Sequence, residues 1–188
     1  MSSHHIVREN QEPALLVASW DALDHEHLGQ LLEWSPTVIT DVQHVDHLLA
    51  WGIKVDVVFG GGTDDFIQDS IKQKQIISVF MEDALCYLIA ERFKAVNILA
   101  DTVPTNLTVF ASKINIVLFC HGRRYAFVKG YFEKWNPKGE YMYLDEACIK
   151  SFQGLEYIDK GIFRTVSDGF ITLEFNTDSF VLVGEDVQ

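Results

Sequence analysis

Acidic side chains and a run of glycines follow two apolar segments in the first third of this 188-residue chain. Asp41 comes directly after the β-branched residues 38–40, and residues 60–65 follow the apolar segment 55–59. Carboxylate oxygens are the ligands that Mg²⁺ prefers, and consecutive backbone amides of a glycine-rich turn can bind an anion. The candidate metal ligands are therefore Asp41, Asp64 and Asp65, and the candidate nucleotide-binding residues are Gly60, Gly61 and Gly62.

Each of these features also has a purely structural explanation. The glycine run is not followed by Gly-Lys-Ser/Thr, so it is not a P-loop, and a flexible turn between a strand and a helix explains it equally well. A solvated acidic loop containing Asp64 and Asp65 is common in a chain with a net charge of −12. His44 and His47 are three residues apart on a predicted helix, but no third ligand with zinc spacing accompanies them. Exposed helix histidines are the simpler interpretation.

The elements that position these residues alternate in type. Apolar segments at 14–18, 38–40, 55–59, 76–80 and 96–100 predict buried strands, and amphipathic segments at 25–33, 42–49 and 81–93 predict helices. Asp24 can cap the first helix, and Gly52 can end the second in the left-handed conformation. Strands joined through helices form parallel sheets, whose ligands bind beyond the carboxyl ends of the strands. Asp41 and the glycine run lie at those ends.

Beyond residue 113 the pattern changes to short strands separated by turns. Segments at 114–120, 125–128, 141–144, 161–163, 169–175 and 179–183 predict consecutive strands of a β domain. The sequence therefore predicts an α/β protein with two domains. Residues 13–112 form a Rossmann-like parallel-sheet domain, and residues 113–188 form a small β-sandwich.

Charge and composition indicate which partners and which cellular compartment to expect. The strongly negative charge argues against nucleic-acid and anionic-membrane partners, because phosphates would be repelled over most of the surface. No run of 18 apolar residues is present, and the first residues lack the apolar segment of a signal peptide. Three scattered cysteines are typical of reduced thiols. We expect a cytoplasmic protein.

The compact basic cluster His121, Arg123 and Arg124 either pairs with an acidic partner or is solvated in a turn.

Three stretches resemble the thiamine pyrophosphokinase family, and the resemblance extends over about residues 15–183. They are residues 47–60 (HLLAWGIKVDVVFG), 82–100 (EDALCYLIAERFKAVNILA) and 154–175, with Gly-Leu-Glu-Tyr at its start. The resemblance implies transfer of a pyrophosphoryl group from ATP to thiamine with Mg²⁺, which yields thiamine diphosphate and AMP. It also implies a homodimer, with thiamine held between the α/β domain of one subunit and the β domain of the other.

The chemical motifs of that family are largely replaced. Where the family follows Gly60 with Asp-x-Asp-Ser, this chain has Gly61, Gly62, Thr63 and Asp64. In the second family motif, this chain has Phe80 in place of an acid and Asp83 in place of a lysine. In the third motif, it has Leu107 in place of an aspartate. Gly61 and Phe80 offer no side-chain oxygen to magnesium. If the alignment with the family motif is shifted by one or two residues, Asp64 and Asp65 fall in the site with Asp41 opposite.

Ser167 and Asp168 occupy the Ser-Asn position that lies near the thiamine pyrimidine in the family. They are the candidate thiamine-binding residues, since an aminopyrimidine can donate a hydrogen bond to a carboxylate. A structural hydroxyl in a strand turn explains Ser167 equally well. No catalytic residue is assigned.

The function expected from these residues is that of a thiamine pyrophosphokinase-like protein with impaired or lost catalysis, in which Mg²⁺ is needed only if the protein is active. The alternative is a noncatalytic binding or interaction protein on the same scaffold. It would keep the groove between domains for thiamine, thiamine diphosphate or another small ring.

Overall fold

A computed structural model describes residues 12–61, 66, 68 and 70–187. Within these residues the α-helices are α1 (His25–Leu32), α2 (Val45–Ala50), α3 (Phe80–Ala90) and α4 (Thr108–Ala111), and a 3₁₀-helix spans Glu146–Cys148. The first six strands are β1 (Ala14–Val17), β2 (Val38–Asp41), β3 (Val57–Phe59), β4 (Lys72–Lys74), β5 (Ala95–Leu99) and β6 (Asn115–Cys120). The others are β7 (Arg123–Val128), β8 (Tyr131–Asn136), β9 (Tyr141–Tyr143), β10 (Ile149–Gln153), β11 (Leu155–Asp159), β12 (Ile162–Thr165), β13 (Gly169–Phe175) and β14 (Val181–Asp186).

Most of these strands form one long sheet, in the order β11-β12-β9-β14-β7-β6-β5-β1-β2-β3-β4. Pairing is parallel from β6 to β4 and antiparallel from β6 to β11. A second, antiparallel sheet contains β10, β13 and β8. The α/β class predicted from the sequence is confirmed. Strand β6 joins the two halves, because it pairs with β5 on one side and with β7 on the other.

The parallel part of the sheet is covered on both faces. Helix α3 packs its buried residues against one face, and α1 and α2 pack theirs against the other. The strands between them are apolar almost throughout, as strands buried on both faces must be. A third core lies between the antiparallel strands and the second sheet, and includes Phe163, Leu173 and Val183.

Two local predictions at helix ends are confirmed. Asp24 caps α1, with its side chain accepting a hydrogen bond of 2.9 Å from the backbone N–H of His27. Gly52 follows α2 with φ of +71°, a conformation that glycine adopts without steric cost. No described helix is long and apolar enough to cross a membrane.

The strand predicted at residues 76–80 is wrong. Residues 77–79 are an exposed loop, in which the Ile77 side chain is 91% exposed, and Phe80 begins α3. The strand lies earlier, at β4, whose three residues are polar and exposed. Strand β4 is at the edge of the sheet, where lysines such as Lys72 are favoured because they oppose further pairing.

Gly184 in β14 should be intolerant of any side chain. It lies opposite Tyr125 of β7, and a methyl group added to it would be 2.4 Å from Cε1 of that ring. We expect Gly184→Ala to lower the free energy of unfolding by about 1–3 kcal/mol, as overpacking does. Urea denaturation checks this value.

Gly29 provides the matched control, because it is an exposed helical glycine with open space around its Cα. Gly29→Ala should leave stability unchanged or raise it by up to about 1 kcal/mol, the difference in helix propensity. Tyr125→Leu combined with Gly184→Ala should cost less than the sum of the single changes. Additive effects would show that the ring does not cause the strain.

Candidate functional site at the carboxyl edge of the parallel sheet

The carboxyl ends of β2 and β3 bring Asp41 and Gly60 to the same edge of the sheet. Asp41 is in register with Phe59, and the backbone N–H of Val42 donates to the Phe59 carbonyl oxygen at 3.1 Å. Gly60 continues the edge, and its N–H donates to the Lys74 carbonyl oxygen at 2.8 Å. Asp64, Asp65 and Gly62 lie outside the described residues.

Asp41 already has hydrogen-bond partners within its own chain. Its Oδ1 accepts from the backbone N–H groups of Gln43 at 2.9 Å and His44 at 3.2 Å, and lies 2.7 Å from Nδ1 of the His44 ring. The Asp41 side chain is only 14% exposed. One oxygen of this carboxylate therefore holds the turn that begins α2.

Gly60 and Gly61 both have positive φ angles, of +90° and +74°. A Cβ on Gly60 would lie 3.3 Å from Cδ1 of Ile76 and 3.5 Å from Cγ2 of Val42. The backbone conformation and the close neighbours both favour glycine at position 60. Gly60 and Gly61 are thus explained locally by the turn after β3, whether or not an anion binds there.

Apolar residues occupy two positions where the family pattern has acids. Leu107 is 1% exposed and belongs to the core cluster on the α3 face of the sheet. Phe80 packs against the same cluster, with its ring 5.8 Å from that of Phe59. Apolar packing therefore takes up the space in which the resemblance expects metal-binding carboxylates.

Asp83, which stands where the family pattern has a lysine, holds the loop before α3. Its carboxylate accepts from the backbone N–H groups of Ile77 at 2.6 Å and Ser78 at 2.9 Å, and from the Ser78 hydroxyl at 3.1 Å. The Ser78 amide, followed by that of Ile77, lowers the pKa of Asp83. The neighbouring Glu82 accepts from the side-chain amide of Asn106.

The described residues of this edge do not fit a magnesium ion. Mg²⁺ requires near-octahedral oxygen coordination and is usually held by one or two carboxylates together with substrate phosphates and water. Within residues 12–61, 66, 68 and 70–187, no group of three or more His, Cys, Asp or Glu side chains is arranged to hold a metal. Asp41 shares its Oδ1 among three donors, and Phe80 and Leu107 supply no oxygen.

Ser167 and Asp168 lie in the exposed turn between β12 and β13. Oδ1 of Asp168 accepts from the backbone N–H of Lys138 at 2.8 Å, so this carboxylate also supports a neighbouring turn. Seven strands of the described sheet lie between β12 and β3. A single chain therefore does not bring Ser167 and Asp168 to the edge that carries Asp41.

The sequence interpretation missed two aspartate–histidine pairs with the same spacing. Asp24 and His27 lie at the start of α1, Asp41 and His44 lie at the start of α2, and in each pair a carboxylate oxygen is 2.7 Å from Nδ1 of the ring. The signal was available as Asp-x-x-His ahead of two predicted helices. In both pairs the aspartate also accepts a backbone N–H: Asp24 is the N-cap of α1, whereas Asp41 ends β2 and holds the turn that precedes α2.

The basic cluster is neutralised by the last strand. Arg123 pairs with Asp186 at 3.7 Å, and Arg124 pairs with Glu185 at 3.0 Å. Both arginines therefore pair with acids of their own chain, Asp186 and Glu185. Cys120, at the end of β6, is buried, and burial raises the pKa of its thiol, as expected for an unreactive cysteine.

Comparison with known proteins gives similarity in structure only. No model of a known protein family matches the chain, and no curated protein matches it in sequence. Solved structures match over almost the whole chain. The thiamine pyrophosphokinase of Bacillus subtilis aligns with a TM-score of 0.62 at 13% identity, covering 93% of this chain and 98% of that one.

Two fungal enzymes align equally well. Thiamin pyrophosphokinase from Candida albicans has a TM-score of 0.65 at 11% identity, covering 93% of this chain and 90% of that one. The yeast enzyme has a TM-score of 0.65 at 9% identity, covering 97% and 88%. The resemblance identified from sequence motifs is thus confirmed at the level of the fold.

The ionised carboxylate of Asp83 should stabilise the folded protein, and this contribution should be lost at acidic pH. Because its folded-state pKa lies below the ordinary value of 3.8, its contribution is present above that value and is lost as pH falls through the folded-state pKa. Asp83→Asn should lower the melting temperature at pH 7 by no more than about 3 °C, since exposed interactions are screened. The difference from wild type should vanish at the acid end of a pH series of thermal melts.

Asp178→Asn is the control for this series, because Asp178 is exposed and its carboxylate accepts no hydrogen bond from the described residues. A pH-independent difference for Asp83→Asn would contradict the assignment of the effect to its ionised carboxylate.

Proposed function

We propose that the chain is a thiamine pyrophosphokinase-like protein in which pyrophosphoryl transfer is impaired or lost. The observation that carries the proposal is the packing of Phe80 and Leu107 into the core at positions where the family pattern has acids. A carboxylate at position 107 would have to be buried, because Leu107 is 1% exposed, and one at position 80 would remove an aromatic ring that packs against the same core.

The chemistry of the reaction explains why these positions matter. Phosphoryl and pyrophosphoryl transfer depend on positioning and on neutralisation of phosphate charge by metal ions and cationic side chains. Here Asp83 replaces a lysine and adds negative charge beside the edge where ATP would lie. Only an active protein would need Mg²⁺; in that case the proposed metal ligands are Asp41 with Asp64 and Asp65, and the proposed nucleotide-binding turn is Gly60, Gly61 and Gly62.

The finer architecture is part of the same proposal. We describe residues 13–112 as a Rossmann-like domain, which is supported by helices on both faces of the parallel strands. We describe residues 113–188 as a β-sandwich, which is supported by a separate core between the second sheet and the antiparallel strands. The shared strand β6 joins the two.

The proposed assembly is a homodimer in which a small ring lies between chains. Support comes from the separation of Ser167 and Asp168 from Asp41 within one chain, since a partner could supply the missing half of the site.

Further support for the homodimer comes from the outer face of the second sheet. Trp135 and Phe170 lie directly opposite each other on adjacent strands and are 53% and 66% exposed. Large aromatic side chains exposed together are typical of interfaces.

The second candidate function is noncatalytic binding of thiamine, thiamine diphosphate or a similar ring. The exposed position of Ser167 and Asp168 favours it, because neither side chain is buried in the protein core. Asp168 uses Oδ1 for the Lys138 amide, which leaves Oδ2 to accept a hydrogen bond from an amino group. Binding at this turn requires no metal.

One experiment separates the two functions. Purified full-length protein is incubated with ATP, Mg²⁺ and thiamine, and AMP is measured alongside thermal melts with thiamine or thiamine diphosphate. We expect AMP formation at the no-enzyme background. A rise in melting temperature with a ligand, and its loss in Asp168→Ala, would support the binding function.

Thiamine-dependent AMP formation that Asp41→Asn abolishes would overturn the loss of catalysis. Asp41→Asn is the appropriate variant, because its Oδ1 can still accept the amides of Gln43 and His44 while the charge is removed. The absence of any thermal shift would remove the binding function and leave only a protein–protein role.

The dimer should depend on the aromatic pair. Light scattering after size exclusion should give about twice the 21.4 kDa mass of the chain for the wild type, and a monomer for Trp135→Glu and Phe170→Glu. Ile77→Glu, which introduces the same charge at an exposed apolar residue away from this sheet, should remain dimeric. A wild type that is monomeric at all concentrations would overturn the proposed assembly.

A further inference from the structure

Strand β8 forms an open edge of the second sheet. The order β10-β13-β8 leaves one side of β8 without a neighbouring strand among the described residues. An edge strand with unpaired N–H and C=O groups can accept a further strand, and natural proteins usually prevent such pairing. Four strands lie at the ends of the two described sheets, namely β4, β11, β10 and β8.

Three of these edge strands are protected against strand addition. Strand β4 has only three residues, of which two are lysines. The pairing of β11 with β12 is irregular between Tyr157 and Asp159, and that of β10 with β13 is irregular between Ile149 and Ser151. Short length, lysines and irregular pairing all oppose an incoming strand. Strand β8, in contrast, has six residues that pair with β13 without a register shift.

The backbone of β8 leaves hydrogen-bonding groups free on its open side. The N–H of Phe175 donates to the Gly130 carbonyl oxygen at 3.0 Å. Since hydrogen-bonded pairs alternate along an antiparallel ladder, the even-numbered residues of β8 direct their N–H and C=O groups toward β13. Glu133 and Trp135 direct theirs to the open side, where they bond to no other described backbone group. The edge therefore presents unpaired donors and acceptors in the spacing of a strand.

Space for side chains of a further strand exists beside this edge. A cavity of about 260 Å³ lies between β8 and α1, with Lys134 of β8 and Leu31 of α1 among its lining residues. Phe119 adds to its apolar surface, and Lys134 is paired with Glu185. Alternate side chains of an added strand would point to this cavity, and the others would lie beside the exposed side chain of Glu133.

The charge of the edge indicates the kind of partner. Among the described side chains, only the Tyr131 hydroxyl bonds to the Glu133 carboxylate, at 2.7 Å, and no cation is paired with it. The whole chain carries a net charge of −12. A cationic side chain opposite Glu133 is therefore favoured over an acidic one. A second copy of β8 centred on the same residue would place two Glu133 carboxylates opposite each other, which is unfavourable.

We propose that β8 binds an extended peptide of a protein partner by antiparallel strand addition. The peptide places a lysine or arginine side chain opposite Glu133, and its apolar side chains alternate with this cation and point to the cavity. Backbone hydrogen bonds to Glu133 and Trp135 hold the peptide, and the alternate side chains give specificity. The site is independent of the function proposed for the carboxyl edge, and it uses the edge of the second sheet rather than the face proposed for the homodimer.

Capped heptapeptides test strand addition. The lysine probe is Ser-Thr-Val-Lys-Val-Thr-Ser, and the glutamate probe has glutamate in place of lysine. Two further probes carry one N-methyl group, on the backbone nitrogen of the lysine or of the valine that follows it. With lysine opposite Glu133, the lysine N–H points to β8 and the valine N–H points away from it. Only the first methyl group should therefore remove a bond to the protein.

Amide NMR of the full chain at pH 7 measures the binding. The lysine probe should shift the amides of Glu133 and Trp135 with a dissociation constant of about 1 mM or tighter, and it should slow hydrogen exchange of both N–H groups. The glutamate probe and the probe methylated at lysine should bind about fivefold more weakly or worse. The probe methylated at valine should retain the affinity of the lysine probe.

Variants at one position separate the charge from the backbone. Glu133→Lys should reverse the preference between the lysine and glutamate probes, and Glu133→Gln should bind both equally. Glu133→Pro removes an N–H that β13 does not use, and proline is tolerated at such edge positions. This variant should fold and lose binding of the lysine probe, whereas Glu133→Gln keeps the N–H and serves as its control.

The proposal fails if the wild type binds the lysine and glutamate probes equally, if exchange at Glu133 and Trp135 is not slowed, or if the two methylated probes bind alike. It also fails if these two N–H groups are protected without any peptide, because the edge would then already be occupied, for instance by a second copy. If Glu133→Pro does not fold, the two methylated probes still decide the outcome.

Discussion

Burial of β1 on both faces is the constraint on which the rest of the structure depends. Its four residues are at most 1% exposed, with Ala14 and Leu16 in the core on one face and Leu15 and Val17 in the core on the other. A strand with no polar face cannot lie at an edge or on a surface, so it must have a strand on each side and helices above and below. The Thr40 hydroxyl donates to the Val17 carbonyl oxygen at 2.9 Å and ties the next strand to it.

At the carboxyl edge, the described side chains serve the packing and the turns of the scaffold. Phe80 and Leu107 contribute apolar surface to the core, while Asp41 and Asp83 satisfy backbone amides. These residues stabilise the turns around the edge, where catalytic side chains would instead be kept partly unpaired for a substrate. Stability and function compete for the same positions, and here the described residues favour stability.

Regular elements with a strong local signal could be predicted from the sequence. The apolar periodicity of α3, the Asp24 cap and the turn at Gly52 are local properties, and all three are confirmed. The segment at residues 76–80 could not be predicted this way. Its strand-like composition is overridden by Asp83, whose carboxylate takes the Ile77 and Ser78 amides that a neighbouring strand would need. The polar β4 was missed because its exposed edge position is decided by the whole sheet.

The sequence by itself determined the class of fold and the family it resembles, because periodicity, caps and motif spacing are short-range properties that are present in the chain before it folds. It also showed that several acids and a lysine of the family pattern are absent. Only the tertiary structure decided what replaced them, since Leu107 is buried among segments that are distant in sequence, and the hydrogen bonds of Asp83 form only when the loop before α3 folds back onto it.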